Sequence, residues 1–240
     1  MGESLVSIVV PTWNERDALP VCLSLLRDQE PPCEILVVDG GSTDGTVDAV
    51  RAFPDVKLLQ APRGRARQMN DGARIARGDI LWFLHADSRP APGSVIAIRD
   101  ALRDPRVAAG AFRFALDGVR PAYRVIEAGA AMRTRWLRLP LGDQGLFLRR
   151  EDFEEIGGYR DVSVLEDVYL VRDVRRRGRL AVLDLPLVTS CRRWEAHGLA
   201  ATTLANFTLL VLDKLGASSE CLARIRVGGR STTRTPGARE

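Results

Sequence analysis

Short apolar runs alternate with amphipathic stretches over the first 90 positions. Val6-Ser7-Ile8-Val9-Val10 is a β-branched run halted by Pro11. From Ala18 to Leu26, Leu19, Cys22, Leu23 and Leu26 recur at helical spacing, and Pro31-Pro32 ends that pattern. Glu34-Ile35-Leu36-Val37-Val38 predicts a second strand, Val47 to Phe53 a short helix, and Val56-Lys57-Leu58-Leu59 a third strand. A helix opens over Arg63 to Asn70 and runs to about Ala76, with Gly78 expected as its C′ glycine. Ile80 to Leu84 is then uninterruptedly apolar, between Gly78-Asp79 and His85-Ala86-Asp87. A continuous run bounded by turn signals predicts a strand buried on both faces. Strands alternating with helices through short links predict an α/β fold: a doubly wound, mostly parallel sheet flanked by helices.

The second half is less regular. Val107 to Leu116 and Leu146-Phe147-Leu148 read as strands, Pro121 to Leu139 as a helix, and Leu180 to Leu183 as a late strand. Glu166 and Asp167 stand at a helix start. Leu199 to Leu215 is an apolar helix interrupted by Asn206, Asp213 and Lys214, which either covers the core, lies on a membrane or pairs with a second subunit. The expected organisation is one domain over 1–226, with a nucleotide-binding half over 1–117 and an acceptor half plus C-terminal helices over 118–226. The Gly-, Ser-, Thr-, Arg- and Pro-rich residues 227–240 are expected to be disordered.

Composition narrows the class. The chain has 240 residues, 45% hydrophobic and 28% charged, ordinary for a soluble globular protein. The net charge of +4 comes mainly from arginine, suited to an anionic small ligand or membrane surface. No long basic run or aromatic-basic interleaving supports nucleic acid as a partner. Four cysteines without C-x-x-C spacing predict reduced thiols and a cytoplasmic protein. The N-terminus lacks a signal-peptide pattern, and no apolar run approaches the ~20 residues of a membrane span.

Polar clusters end the first, second and fourth predicted strands: Thr12 to Glu15, Asp39 to Asp44, and His85 to Asp87. Each alone has the composition of a turn. Together they would gather at the carboxyl edge of a parallel sheet, where ligands bind. Asp39-Gly40-Gly41-Ser42-Thr43-Asp44-Gly45 lacks both the G-x-G-x-x-G and the P-loop patterns. Asp87 either holds a divalent cation shared with substrate phosphates or caps the following helix.

These motifs, in order and spacing, resemble glycosyltransferase family 2, the nucleotide-sugar transferases of GT-A fold. The matching residues are Ser7 to Glu15, Ile35 to Thr46, Asn70-Asp71-Gly72-Ala73, Ala76-Arg77-Gly78-Asp79 and Phe83 to Asp87. Arg63 to Asn70, the His-Ala-Asp tip and Arg192-Arg193-Trp194-Glu195 resemble the subgroup associated with radical SAM and selenium-domain proteins. The resemblance implies that Asp39 reads the base, with Pro11, Thr12, Asn14, Glu15 and Ser42 around base and ribose. Arg65 and Arg67 would face ribose or diphosphate. Asp87 matches the metal-binding second Asp of Asp-x-Asp and implies Mn2+ or Mg2+. His85 replaces the first, as a ribose contact, a second group behind the metal, or filler.

By the same resemblance, Asp143 and Gln144 lie near the donor sugar or form a tight turn. Asp167, in Glu166-Asp167, is the general base or a helix-dipole partner. Arg193 would clamp diphosphate and Trp194 stack on acceptor sugar. His197 is either a further metal ligand or structural. The implied activity is metal-dependent, inverting transfer from a nucleotide diphosphate sugar, UDP favoured, to an acceptor hydroxyl. The alternatives are a sugar nucleotidyltransferase, although Thr12 to Glu15 lacks its Gly-rich basic loop, and a non-catalytic nucleotide-binding protein. Peripheral contact with the inner face of a membrane, or a homodimer, through 199–226 stays open.

Overall fold

The computed structural model of the chain describes residues 4–228. They divide into two compact units. One takes the chain up to Asp161 together with Glu166–Cys191; the other takes Val162–Leu165 and the described residues from Arg192 on. The boundaries between the units fall at 161/162, 165/166 and 191/192.

The first unit is an α/β body. Its strands are β1 (Val6–Thr12), β2 (Glu34–Asp39), β3 (Lys57–Gln60), β4 (Ile80–Phe83), β5 (Ser88–Pro90), β6 (Val107–Leu116), β7 (Phe147–Arg149) and β8 (Arg179–Thr189). They form an eight-stranded sheet in the order β3-β2-β1-β4-β7-β6-β8-β5. The β3-β2-β1-β4 half is parallel throughout. β7 is antiparallel to both neighbours, β6 and β8 are parallel, and β5 closes the far edge antiparallel to β8. The helices α1 (Leu19–Arg27), α2 (Thr46–Arg51), α3 (Arg65–Ile75), α4 (Ser94–Arg103), α5 (Pro121–Leu137), α6 (Arg150–Glu155) and α7 (Glu166–Val174) flank this mostly parallel sheet as the alternation predicts.

β4 sits centrally and every residue of it is buried. Trp82 stacks on Phe112 with ring centroids 5.2 Å apart, and Phe112 meets Phe147 edge-on at 5.8 Å. This aromatic row carries the core across from the parallel half to β7 and β6.

Three local expectations change. Ser88-Arg89-Pro90 is a strand, not a helix approach; α4 starts only at Ser94. Gly78 is not a left-handed C′ glycine. A Cβ there would collide with the backbone oxygen of Leu5 and crowd Ser7, so glycine is required by the close passage of two chain segments. The short α6 is also new relative to the sequence reading.

Ser7 lies on the same side, at the amino ends of the strands. Its hydroxyl donates to Glu34, whose carboxylate also accepts from Lys57 Nζ at 2.6 Å and from Arg77 N at 2.7 Å. Burial pushes the Glu34 carboxyl up, but these bonds outweigh it and hold it down at about 2. The folded value lies below the ordinary one, so Glu34 stabilises the fold fully above its unfolded pKa. That contribution fades as pH falls towards about 2. Glu34→Gln should lower stability by about 2 kcal/mol at neutral pH. Urea midpoints of variant and wild type should converge as the solution is acidified.

The second unit holds α8 (Arg192–His197), α9 (Leu199–Lys214) and α10 (Ser219–Gly228). Val164, Leu209 and Leu222 form its small buried cluster. The expectation that α9 covers a core holds for Leu209 but not for Leu204, Phe207 or Leu215, which are 65%, 63% and 77% exposed. No described helix is long and apolar enough to cross a membrane. The tail from 229 on lies outside the described residues. All four cysteines are free thiols, and Cys221 is exposed.

Candidate functional site

β1, β2 and β4 run parallel, so their carboxyl ends share one edge. The loops leaving β1 and β2 are tied together there. Gly40 N donates to Thr12 O at 2.9 Å. Asn14 N donates to Ser42 Oγ, and Asn14 Oδ1 accepts from Thr43 N, both at 2.9 Å. Asn14 reaches both through φ +53°, a left-handed conformation that asparagine tolerates. Glu15 N donates to Thr46 Oγ1 at 2.9 Å. From α3, Gln68 Nε2 donates to Thr12 O at 2.8 Å and to Val38 O at 2.7 Å.

Asp39 organises this cup from beneath. One carboxylate oxygen accepts from Gly41 N and Ser42 N, both at 3.0 Å, and the other from the Ser42 hydroxyl. The residue is fully buried. Through these bonds Asp39 shapes the turn after β2, beneath the edge where the resemblance puts the base. Thr12 is buried, and its hydroxyl donates to Val10 O at 3.1 Å. Pro11, Asn14, Glu15 and Ser42 remain half-buried at the edge. Trp13 was not singled out from the sequence, yet it is exposed, with the Arg63 guanidinium 3.4 Å from its ring centroid. Such a stack pairs two side chains far apart in sequence and leaves no local signal.

A second cluster gathers around the end of β4. Asp87 is half-buried and accepts from Thr189 Oγ1 at 3.4 Å. It caps no helix, since α4 begins six residues past Ser88 and its N-cap, Gly93, makes no side-chain bond. His85 is half-buried, and its carbonyl accepts from Ser88 N at 3.1 Å. Arg65 opens α3 and donates to Glu166 Oε1 at 3.0 Å. Burial pulls Arg65 down, but the charges of Glu166, Asp167 and Asp87 more than restore it. Arg65 thus draws three carboxylates into one field. Arg67 does not join them: it forks onto Asp161 at 2.8 to 2.9 Å, and those bonds hold Asp161 below the usual carboxylate range. Arg67 is thereby engaged in a surface ion pair.

Asp167 lies at the start of α7, 8% exposed. Burial pushes its carboxyl up to about 7, and the neighbouring Glu166 and Asp143 charges push the same way. Arg65 and the Gly142 N–H oppose them. Oδ1 is buried and has no hydrogen-bond partner among the described residues. A carboxylate with one oxygen unengaged and a pKa near neutrality can take a proton and release it. Tyr159 is a further member that sequence reasoning did not assign. Its buried hydroxyl has no partner among the described residues, its ring meets Phe83 edge-on at 4.9 Å, and the Asp167 charge is felt there.

The turn before β7 explains Gly142. A Cβ there would overlap the Asp167 carboxylate. Gly142→Ala should displace that carboxylate and its backbone donor without touching the donor cup. We expect the Asp167 titration, followed by carboxyl-carbon NMR, to move by about one unit or more. Asp143 is half-buried beside Asp167. Gln144 is buried. Its Oε1 accepts from Arg133 at 2.9 Å, Thr134 at 3.0 Å and Leu141 N at 3.3 Å, while Nε2 donates to Phe112 O at 3.0 Å. This buried amide pins the turn to α5 and β6.

Arg193, Trp194 and His197 belong to α8 in the second unit. Trp194 is buried. His197 Nδ1 lies 3.2 Å from Arg193 O, one helical turn back. Arg193 reaches Asn206 Oδ1 at 3.5 Å.

Among the described residues, no three or more His, Cys, Asp or Glu side chains form a ready metal cage. The donor set fits a different mode. A hard cation kept by one carboxylate, here Asp87, completes its shell with water and bound phosphate oxygens.

Residues 7–160 match the family described as Glycosyl transferase family 2. Among curated relatives, the chain is 38% identical over 94 residues to a PGL/p-HBAD biosynthesis glycosyltransferase of Mycobacterium tuberculosis, covering 36% of this chain and 37% of that one. It is 33% identical over 94 residues to Glycosyltransferase AglE of Haloferax volcanii, covering 35% and 31%. The matches span about a third of the length of these curated relatives. Among solved structures, the mannosyltransferase PcManGT from Pyrobaculum calidifontis, in complex with GDP-Man and Mn2+, superposes with a TM-score of 0.67 at 24% identity, over 97% of this chain and 71% of that one. S. aureus TarS 1–349 in complex with UDP-GlcNAc gives 0.62 at 17% identity, over 78% and 58%.

Proposed function

From the premise that the chain belongs to glycosyl transferase family 2 and has the GT-A fold of its structural neighbours, we propose that it transfers a sugar from a nucleoside diphosphate sugar to an acceptor hydroxyl, with inversion. The observation that carries this reading is Asp167: a buried carboxylate titrating near 7, with Oδ1 unengaged, in the same field as Asp87 and Arg65.

The tied loops of β1 and β2 receive the nucleoside, with Pro11, Asn14, Glu15 and Ser42 at the rim. UDP is the favoured nucleotide, as the family resemblance implies, with Asp39 fixing the loop that meets the base. Asp87 would hold Mn2+ or Mg2+ against the donor diphosphate. Bound there, the cation neutralises charge that builds on the leaving diphosphate. Arg65, kept cationic by Glu166, lies beside the same charge and orients the phosphates. Asp167 accepts the proton of the acceptor hydroxyl as that oxygen bonds to the anomeric carbon. The bond from the anomeric carbon to the diphosphate oxygen breaks, and its electron pair leaves with the nucleotide. Attack opposite the leaving group inverts the anomeric centre. The narrower subgroup associated with radical SAM and selenium-domain proteins rests on Arg63 to Asn70, the His-Ala-Asp tip and Arg192 to Glu195.

Calorimetric titration with UDP, GDP and their sugars, with and without Mn2+, tests the reading. Metal-enhanced binding of a nucleotide sugar, and its slow hydrolysis to nucleoside diphosphate and free sugar, is the expected result. Release of pyrophosphate from a nucleoside triphosphate and a sugar phosphate would replace it with nucleotidyl transfer.

A further inference from the structure

α5 carries its apolar residues on the wrong side for a core helix. At about 100° per residue, Val125, Gly129, Met132 and Trp136 fall within a band of about 60°. The opposite face holds Tyr123, Ala130 and Thr134, all buried against the body. Yet Val125 is 72%, Met132 53% and Trp136 73% exposed. The crest of this helix is therefore an apolar stripe facing outward, with small residues Ala128 and Gly129 exposed between the large ones.

Charge surrounds the stripe. Residues 118–138 contain five arginines against one glutamate, a net of +4 from 5 − 1. Arg133 is turned inward to Leu139 O and Gln144, and Arg124 pairs with Glu127. Arg120, Arg135 and Arg138 remain exposed at the two ends of the helix. An apolar crest bordered by arginines, with a tryptophan near one end, is the composition that lies in a bilayer interface. The apolar residues sink to the acyl boundary, the indole sits at headgroup depth, and the arginines meet lipid phosphates.

We propose that α5 docks the protein onto an anionic lipid bilayer, along its surface and without spanning it. A second copy of the chain is a poorer occupant of the same face. A two-fold pairing places the same patch on both partners, and here it would oppose two arginine-rich borders. Nucleic acid would use the arginines but leave the apolar crest in water.

Sedimentation of the full chain with extruded vesicles tests this, using phosphatidylcholine alone and phosphatidylcholine mixed with phosphatidylglycerol. The expected result is a rise in bound fraction of about tenfold or more with the anionic lipid, reversed by salt, because each interfacial arginine strengthens binding several-fold. Met132→Ser with Trp136→Ser should lose binding to both vesicle types. Arg135→Glu with Arg138→Glu should lose only the phosphatidylglycerol dependence. All four positions are exposed, and circular dichroism melts check that the variants stay folded. Protein left in the supernatant with both vesicles would overturn the proposal. So would undiminished binding by the folded Met132/Trp136 variant, or a dimer in light scattering that Trp136→Glu converts to monomer.

Discussion

Asp167→Asn should lower turnover by about 10²- to 10⁴-fold, the usual worth of a positioned general base, while donor affinity stays within about threefold of wild type. The asparagine keeps the shape that Gly142 cradles but cannot accept the proton. Steady-state kinetics paired with calorimetry on the same preparation separate the two effects. The wild-type pH profile carries a second signature. The base works only when ionised, and burial places its carboxyl at about 7. Activity should therefore rise with pH through about 7 and fall away below it. The folded value lies above the ordinary carboxylate one, so wild type loses stability as pH rises from the ordinary carboxylate range to about 7 and no further above it; Asp167→Asn should gain stability relative to wild type across that window and hold the gain above it. A variant with full turnover would remove Asp167 from the reaction.

Asp87→Ala is the second large effect. We expect metal-enhanced donor binding to weaken by about 100-fold or more, since on the proposed reading Asp87 would share a cation with the diphosphate. Binding of the bare nucleoside should change little, because the β1 and β2 loops are held by Asp39, Asn14 and Gln68. Titrations of nucleoside and nucleoside diphosphate, with and without Mn2+, distinguish these outcomes. Equal loss for both ligands would mean that the substitution disturbed the sheet edge as a whole.

The central strand and the place of Asp87 were legible because Ile80 to Leu84 is a continuous apolar run with a polar tip. Parallel strand order then follows from the helices between. The pairing of Glu166-Asp167 with a helix start was also readable, since carboxylates favour that end. What could not be read was partner choice. Arg65 and Arg67 look alike in sequence, yet one meets Glu166, 101 positions away, and the other Asp161, 94 positions away. Asp39 and Thr12 were named as base and ribose contacts by the family resemblance; burial, which depends on the whole fold, adds the inward bonds that hold the loops. Gln144 and Trp194 are buried too. Ser88-Arg89-Pro90 hid as a strand because proline argues against one, and six-residue α6 is too short to show a period.

α3 bridges the two halves of the site. Gln68 grips the ends of β1 and β2, Arg65 reaches Glu166 beside the base, and Asn70 exchanges hydrogen bonds with the backbone of Tyr159 at 2.8 and 2.9 Å. On the reading proposed above, this one rod of backbone would set how far the nucleotide lies from the proton acceptor. One residue added between positions 65 and 68 would turn those two contacts about 100° apart and lengthen the rod by about 1.5 Å. An insertion there would break one contact or the other, so the spacing of Arg65 and Gln68 is set by the helix itself.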